Sequence, residues 1–436
     1  MQARVGIIGL GTVGSGVLRL LEQQGGFFSS RMNIDLKLTA VCARSEASLA
    51  KAPASAFRTT DPMALISRPD VDIVLELAGG TEGPLEWIAA ALRAGKHVVT
   101  ANKALISGHG PELFPLAALH KRVLAFEGAV GGSIPIVKTL QESFVANDID
   151  GMACIINGTC NFILSEMSAR GIGFDEALKE AQARGYAEAD PSLDVDGIDA
   201  AQKLAILAAL GYRKFVDWRE MSVTGISHLA PVDLALAAEL GFAVKLIGVI
   251  NPAPPSIAAL EGSLFAHVYP ALLPLAHPLA AIHGVNNAVH VLGSAAGAHI
   301  LSGPGAGGLP TASAVVGDLI HVCRQMSNNV FSEHTVNCMP REEKMQLLPI
   351  GSLVAEFYLR FTLSDIPGAI GEVSAMLARY GISINFAQQK GLPSREGVSI
   401  VILTQPAKDQ DMRDALAKIH SLPFVAGKTQ MLRIHR

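Results

Sequence analysis

The sequence predicts an α/β protein in three parts: a doubly wound parallel sheet, a mixed α/β middle region and a separate βαββαβ domain. Three observations predict this organisation. Short apolar runs alternate with helical patterns over the first part of the chain. The middle is rich in alanine and carries long helical patterns. The last part returns to alternating apolar and polar residues, which is typical of half-buried strands.

Composition excludes several classes of protein. Half of the 436 residues are apolar and 17% are charged, which favours large buried cores over disorder. The formal charge of −4 gives no basic excess for a nucleic-acid partner. The most hydrophobic stretch, 229–250, contains Asp233, Glu239 and Lys245, which predicts that it does not span a membrane. Five cysteines without a CxxC pair, and a first segment unlike a signal peptide, predict a cytoplasmic protein.

The first part alternates strands with helices. The predicted strands are 4–9, 36–42, 71–77 and 97–100, and the predicted helices are 14–22 and 86–94. Strands that are separated by helices pair in parallel, so this order predicts a doubly wound sheet.

The middle part, from about residue 136, is mainly helical by pattern. Helices are predicted over 174–184, 198–210, 231–241 and 313–323, with a small β-rich stretch between 264 and 291. Residues 331–351 are polar and contain two prolines, which favours a linker.

The last part follows a βαββαβ order, which predicts a ferredoxin-like domain. Its first helix places Ile370, Val373 and Leu377 on one face, and Gly381 suits the end of that helix. The other predicted elements are strands 357–363, 382–386, 398–403 and 429–434 and a helix over 408–420.

Three glycines form a phosphate-binding pattern. Gly9, Gly11 and Gly14 match GxGxxG directly between the first strand and the first helix. In a Rossmann-type fold these glycines permit a tight turn, close approach to a pyrophosphate, and packing of the helix on the strand. The sequence therefore predicts a dinucleotide cofactor, with Thr12 and Val13 in the phosphate-binding turn.

The end of the second strand bears on which dinucleotide is used. The chain runs AVCARS there, without the acidic residue that binds a ribose 2′-hydroxyl. Arg44 stands in that position and suits a 2′-phosphate. This favours NADP(H), with NAD left open.

Two further features carry candidate chemistry. Lys103 follows a strand end, where ligands collect in this type of fold, although a solvated surface lysine is as common a reading. Asp199 and Lys203 are four residues apart, so they share one face of a helix and could act at one site.

The motifs together resemble homoserine dehydrogenase. They are VGIIGLGTVGSGV, TANKALIS, FEGAVGGSIPI, NGTCNFIL, GYAEADPSLDVDGIDAAQKLAIL and GPGAGGLPTASAVVGDL, in order over residues 1 to about 330. The tail resembles an ACT domain, with the DxPG loop at 365–368. The resemblance implies a dinucleotide-binding domain (1–135, with a returning helix at about 305–330), a catalytic and oligomerisation domain (136–304) and an ACT regulatory domain (352–436).

The resemblance also implies the reaction, the interconversion of L-homoserine and L-aspartate 4-semialdehyde. Hydride delivery to an aldehyde builds negative charge on oxygen, and a lysine ammonium can stabilise that charge and release a proton. The resemblance gives this role to Lys203, with Lys103 as the competing candidate. Glu188 and Asp199 are implied to hold the amino and hydroxyl groups of the substrate, and Asp194 to orient them.

Other binding positions are implied in the same way. FEGAVGGSIPI resembles a loop for a monovalent cation such as Na⁺, with ligands from Glu127, Val130, Gly132 and Ile134. Alternatively, this segment is a glycine-rich loop that follows a strand near the cofactor and binds no cation. Thr100, Gly185 and Gly303 complete the implied cofactor positions.

Two rival functions stay open. Cys160, in NGTCN, could be the nucleophile of another semialdehyde dehydrogenase, although we interpret it as a small packed residue. The chain could also be a non-catalytic amino-acid sensor that retains nucleotide binding.

The resemblance implies a homodimer or homotetramer and an ACT domain that binds L-threonine. Asp365, Gly368 and Asn385 are the expected ligand-side positions. No nucleic-acid or membrane partner is expected.

Overall fold

The computed structural model describes residues 1–253, 262–328, 343–394 and 397–436. The chain divides into two compact units. The first comprises Met1–Met152, Ala201–Glu220 and Val285–Gln346, and the second comprises Ala153–Ala200, Met221–Gly284 and Leu347–Arg436.

Strands and helices alternate over the first 125 residues, as expected. The elements are β1 Gln2–Ile8, α1 Thr12–Met32, β2 Asp35–Cys42, α2 Glu46–Leu49, β3 Phe57–Thr59, α3 Pro62–Ile66, β4 Ile73–Glu76, α4 Glu82–Arg93, β5 His97–Thr100, α5 Lys103–Leu119 and β6 Leu124–Ala125.

The following region contains more strand than its sequence pattern predicted. Its elements are α6 Ile136–Lys138, β7 Ile149–Ile155, α7 Gly158–Arg170, α8 Phe174–Ala183, α9 Ser192–Val195, α10 Ile198–Tyr212, β8 Ser222–Val223, α11 Pro231–Glu239, β9 Phe242–Pro252, β10 Leu264–Pro274, β11 Asn286–Gly293, β12 Gly297–Pro304 and α12 Gly308–Asn328.

The last region has the predicted βαββαβ order with one short extra strand. Its elements are β13 Val354–Leu363, α13 Ala369–Arg379, β14 Ile384–Ser394, β15 Gly397–Thr404, β16 Ala407–Lys408, α14 Asp409–Ile419 and β17 Val425–Ile434.

A six-stranded parallel sheet with the order β3-β2-β1-β4-β5-β6 forms the core of the first unit. The strand order reverses between β1 and β4, so a crevice opens at the carboxyl ends of these two strands. The Rossmann-type prediction is therefore confirmed.

Helix α12 packs against α1 on this sheet, through small residues. A Cβ at Gly16 would lie 2.7 Å from the carbonyl oxygen of Gly308 and 3.0 Å from the Cβ of Ala312. Val315 and Leu319 of α12 are fully buried in the same core as β1. Through this contact, a helix that is distant in sequence packs on the six-stranded parallel sheet.

In the second unit one sheet has the order β9-β10-β17-β13-β15-β14. Strand β10 pairs antiparallel with β9 and parallel with β17, with Ala271 opposite Arg433. The last strand of the βαββαβ domain thus extends a sheet that begins outside that domain, and its outer edge is covered.

The helices of the βαββαβ domain follow the predicted pattern with one exception. Val373 and Leu377 are buried, and Gly381, with φ +71°, follows the last turn of α13. Ile370 precedes Val373 by three residues in the same helix, but it is 41% exposed. It is exposed because it lies in the first turn of α13, where the helix borders a surface pocket.

The apolar stretch 229–250 divides into α11 and β9, and its charges are partnered inside the second unit. Asp233 is fully buried and forms a two-point ion pair with Arg360 on β13. Lys245 is 3% exposed and donates to the side-chain oxygen of Asn161 and to the carbonyl oxygen of Ile282. Burial lowers the pKa of Lys245 to about 8.

The predicted linker is described only in part, because 331–342 lie outside the described residues. The described remainder makes isolated bridges from Lys344 to Phe215 and from Leu347 to Leu264, and ends in a short 3₁₀ helix at Ile350–Ser352. Among the described helices, none is both long enough and apolar enough to cross a bilayer.

Two glycines of α1 provide a matched test of the contact with α12. Gly16→Ala places a methyl group against backbone, and we expect a loss of about 1–3 kcal/mol of stability. Gly25→Ala meets no atom within 4 Å and gains up to about 1 kcal/mol from helix propensity. Thermal unfolding should therefore give a lower Tm for the first variant and an equal or higher Tm for the second. A Gly16→Ala protein as stable as the parent would contradict this packing.

Candidate active site

An open cavity of about 810 Å³ lies at the carboxyl ends of β1, β2 and β4 in the first unit. Gly9 and Gly11 line it after β1, Arg44 after β2, and Gly79 and Gly80 after β4. This is where doubly wound sheets bind ligands, and the volume is in the range of cofactor pockets.

The three glycines of the motif each meet a different steric demand. Gly9 has φ +103°, and a Cβ there would lie 2.6 Å from the carbonyl carbon of Leu77. A Cβ at Gly14 would lie 2.0 Å from the carbonyl oxygen of Gly9, so helix and strand approach too closely for any side chain. A Cβ at Gly11 would meet no atom within 4 Å, which leaves its backbone open to a ligand.

Thr12 and Val13 form the first turn of α1. Thr12 is exposed, whereas Val13 packs against the core of the sheet. Gly11, the N-cap, supplies no side-chain hydrogen bond to this turn. The N-terminal end of this 21-residue helix thus begins at a residue that lines the cavity, and a helix N-terminus is a favourable place for a pyrophosphate.

The lining after β2 is polar and lacks a carboxylate. Arg44 is exposed at the cavity, beside Ser45 and Ser48, whose hydroxyls are hydrogen-bonded to each other at 3.0 Å. A guanidinium and two hydroxyls form a surface that suits a phosphate group.

A buried network fixes the loop after β4. The hydroxyl of Thr100 donates to Glu76 at 2.7 Å and accepts the backbone N–H of Asn102 at 3.0 Å. Asn102 in turn donates to the carbonyl oxygen of Gly80 at 2.6 Å. Burial raises the pKa of Glu76. The side chain of Thr100 therefore supports the loop that lines the cavity and does not itself line it.

Lys103 is the first residue of α5 and follows the carboxyl end of β5. It is half-buried, and the helix is capped by Asn102, whose side-chain oxygen accepts the N–H of Leu105 at 3.1 Å. The lysine thus lies at the same edge of the sheet as the cavity.

The loop 127–134, predicted to bind a cation, carries a buried carboxylate. Glu127 is 3% exposed and accepts the backbone N–H groups of Val137 and Lys138 at 2.8 and 3.0 Å. Its own N–H donates to Asp318, which is paired with the Lys138 ammonium at 2.7 Å. Burial and the charge of Asp318 raise the pKa of Glu127 to about 7.

The same loop lies against the end of β12. Gly132 has φ +61°, and a Cβ there would lie 2.7 Å from the carbonyl carbon of Gly305. A Cβ at Gly303 would lie 3.6 Å from both Ser133 and Ile134. Gly303 therefore borders this loop, and Ile134 uses its carbonyl oxygen to accept the N–H of Ile136 at 2.8 Å.

In the second unit, one amide joins two predicted substrate-binding carboxylates. The side-chain nitrogen of Asn157 donates to Asp194 at 2.7 Å and to Asp199 at 2.9 Å. Asn157 and Asp199 are 4% and 6% exposed. The structure therefore brings Asp194 and Asp199 together, and a residue that sequence reasoning missed holds them.

Glu188 and Gly185 lie in the segment between α8 and α9. Glu188 is exposed, and its carbonyl oxygen accepts a bond from Gln182 at 3.1 Å. Gly185 has φ +73° and donates its N–H to the carbonyl oxygen of Gln182, as a glycine that ends a helix does. Its cofactor role stays a prediction.

Helix α10 carries both Asp199 and Lys203, one turn apart, as the spacing predicted. Lys203 is half-buried. The proton-transfer role of this lysine stays a prediction.

Cys160 is a packed residue in the first turn of α7. It is fully buried, and its thiol donates to the carbonyl oxygen of Asp194 at 3.1 Å. The other described cysteines, Cys42, Cys154 and Cys323, are also buried, and burial raises the pKa of each of these three thiols. Buried thiols of this kind are poor nucleophiles, because the reactive thiolate form is disfavoured away from water.

The βαββαβ domain has a pocket of about 340 Å³ around the loop 364–368. Asp365 and Gly368 line it, together with Gln389. Asn385 is exposed and is not among the lining residues, and its ligand-side position stays a prediction.

Within the described residues, no group of three or more histidine, cysteine, aspartate or glutamate side chains forms a metal site.

The sequence analysis did not identify three buried polar residues that hold predicted site residues or loops in place. Asn157, Glu76 and Asp318 are buried polar side chains that each bond a predicted site segment. A signal for Asn157 was present, because an asparagine before GTCNFIL is a typical N-cap. Nothing in the local sequence indicates that Asp318 approaches Glu127 across 191 positions.

Comparison with known proteins agrees with this geometry. The family model for the homoserine dehydrogenase NAD-binding domain matches residues 9–127, the model for homoserine dehydrogenase matches 135–320, and the ACT domain model matches 357–421. The chain is 39% identical to the homoserine dehydrogenase of Neisseria gonorrhoeae over 432 residues, which covers 99% of this chain and 98% of that protein. It is also 39% identical to that of Synechocystis, with all of both chains covered.

Solved structures give the same result. A homoserine dehydrogenase from Thiobacillus denitrificans superposes with a TM-score of 0.90 at 38% identity, covering 100% of this chain and 98% of the other. A hyperthermophilic archaeal homoserine dehydrogenase in complex with NADPH superposes with a TM-score of 0.64 at 27% identity, covering 74% and 98%.

The packing of Cys160 gives a direct test of its role. Cys160→Ala should keep kcat within about twofold of the parent, with a small loss of stability, because the thiol is fully buried and donates to a backbone carbonyl. Steady-state rates and thermal unfolding measure both effects. Complete loss of turnover in a folded variant would support the cysteine-nucleophile alternative.

Proposed function

Because the chain belongs to the homoserine dehydrogenase family, we propose that it interconverts L-homoserine and L-aspartate 4-semialdehyde with NADP(H). The similarity over nearly the full length of curated relatives carries this proposal. In the reductive direction, hydride leaves the cofactor for the aldehyde carbon while a proton reaches the carbonyl oxygen. In the oxidative direction both are removed from homoserine.

The cavity at the glycine turn fits the dinucleotide. The open backbone at Gly11 and the N-terminus of α1 would receive the pyrophosphate, and Arg44 with its two serine neighbours would receive a 2′-phosphate. The missing carboxylate after β2 argues for NADP(H) over NAD. The archaeal relative solved with NADPH supports the same preference. When bound, the cofactor supplies the hydride.

Lys203 is proposed to transfer the proton. Its ammonium would stabilise the negative charge on the substrate oxygen and donate a proton to it, and the neutral amine would accept that proton in the reverse direction. Lys103, which lies at the cavity edge of the first sheet, is the competing residue.

The substrate is proposed to be held by acidic side chains. Asp194 and Asp199 form a joined pair that can accept hydrogen bonds from an ammonium and a hydroxyl. Glu188, exposed in the preceding loop, is proposed to complete the set.

The loop 127–134 is proposed to hold a monovalent cation such as Na⁺ through Glu127, Val130, Gly132 and Ile134. The donor set is all oxygen, which a hard cation prefers. Two buried carboxylates, Glu127 and Asp318, lie together there. A bound cation would order the loop against β12.

The domain division given by the motifs is proposed for the whole chain: a dinucleotide-binding domain (1–135, with α12 returning to it), a catalytic and oligomerisation domain (136–304), a linker (331–351) and an ACT regulatory domain (352–436). The pocket at Asp365 and Gly368 is proposed to bind L-threonine and to lower activity. A homodimer or homotetramer in the cytoplasm completes the proposal.

The proton-transfer role is tested by following absorbance at 340 nm with homoserine and either NADP⁺ or NAD⁺. Lys203→Ala should lower kcat by about 10²–10⁴-fold, which is the usual contribution of a general acid–base group. Lys203→Arg should not restore it, since a guanidinium does not release its proton near neutral pH. The exposed Lys179→Ala serves as the control. A Lys203→Ala enzyme near full rate would move the role to Lys103 or to water.

Regulation is tested by adding L-threonine to initial-rate assays. Millimolar threonine should lower the rate of the parent, and Asp365→Ala should weaken that response about tenfold or more, because a charged hydrogen bond to the effector is lost. Asp414→Ala, an exposed carboxylate on α14 outside the pocket, should respond like the parent. An unchanged parental rate would show that the ACT domain does not sense threonine.

A further inference from the structure

The first turn of α7 is tied to the acidic segment that precedes α10 by several hydrogen bonds within the second unit. Besides the two bonds from Asn157, the hydroxyl of Thr159 donates to the carbonyl oxygen of Tyr186 at 2.7 Å, and the thiol of Cys160 donates to that of Asp194. The first turn of α7 and its cap therefore hold the backbone at Tyr186 and Asp194, and the cap also holds the carboxylates of Asp194 and Asp199.

The side-chain oxygen and both side-chain N–H groups of Asn157 are hydrogen-bonded in this arrangement. Its oxygen accepts the N–H of Cys160 at 2.8 Å, which caps α7, and its two N–H groups go to Asp194 and Asp199. If the amide were turned over, its oxygen would face the two carboxylates, so this network allows one orientation of the side chain. The two carboxylate oxygens must then lie within a hydrogen bond of the same nitrogen.

Bringing two carboxylates together in a mostly buried place is unfavourable, because like charges repel strongly where water is excluded. The side-chain N–H groups of Asn157 stabilise both carboxylates and bring no charge of their own to the site.

From this geometry we infer that Asn157 is a positioning residue for homoserine: it holds Asp194 and Asp199 at a fixed separation, which sets where the polar groups of the substrate meet them. The inference rests on the proposed function. It assigns Asn157 a second role beyond capping α7, and the two roles can be separated by mutation.

Asn157→Ser and Asn157→Asp both keep a side-chain oxygen that can cap a helix. Serine removes both donors to the carboxylates, and aspartate replaces them with a third negative group. We expect kcat/KM for homoserine to fall at least about tenfold for serine and further for aspartate, since misplaced binding groups cost up to about 10²-fold. The KM for NADP⁺ should stay within about twofold, as the dinucleotide cavity is lined by other residues.

Asn157→Ala, which loses the cap as well, separates stability from positioning. If Asn157 acts only as a cap, Asn157→Ala lowers the Tm while serine and aspartate behave like the parent in kcat/KM, and the inference is overturned. It is also overturned if the variants raise KM for homoserine and NADP⁺ alike. A selective loss for homoserine in variants with a near-parental Tm supports it. A parent enzyme that does not oxidise homoserine at all refutes the proposed function itself, whereas an active parent with unaffected variants refutes only the role of Asn157.

Discussion

The backbone contact between Gly14 and Gly9 is the constraint on which the dinucleotide cavity depends. The helix α1 can start directly at the end of β1 only because no Cβ stands between position 14 and the carbonyl oxygen of Gly9. The close approach at Gly16 then allows α12 to pack on α1. Together these contacts aim the helix N-terminus at the crevice where the strand order reverses.

Buried carboxylates in this protein are hydrogen-bonded to donors from other segments of the chain. Asp233 is fully buried, and the guanidinium of Arg360, in the βαββαβ domain, donates two hydrogen bonds to its carboxylate. Glu76 is satisfied by Thr100 and by the N–H of Ala78 at 2.9 Å. Because an unpaired buried charge is costly, each of these sets fixes a relation between segments that are distant in sequence.

The ACT region is joined to the rest of the second unit through its sheet as well as through charge. Strand β17 pairs with β10, and the guanidinium of Arg433 lies 4.7 Å from the ring centroid of Tyr269. Asp409, fully buried, pairs with the same arginine. A ligand that alters the loop after β13 would thus act on a domain that shares a continuous sheet with β9 and β10.

The sequence by itself determined the parts of this protein that local patterns encode. Alternating runs and glycine punctuation predicted the parallel sheet, and the spacing of Asp199 and Lys203 predicted one helix face, because these depend on near neighbours. It did not predict β9, whose apolar run reads equally as helix, nor the exposure of Ile370. Only the tertiary structure decided that Asn157 joins Asp194 to Asp199 and that Asp318 meets Glu127. Such pairs are made by packing between distant segments, and their partners leave no periodic trace in the chain.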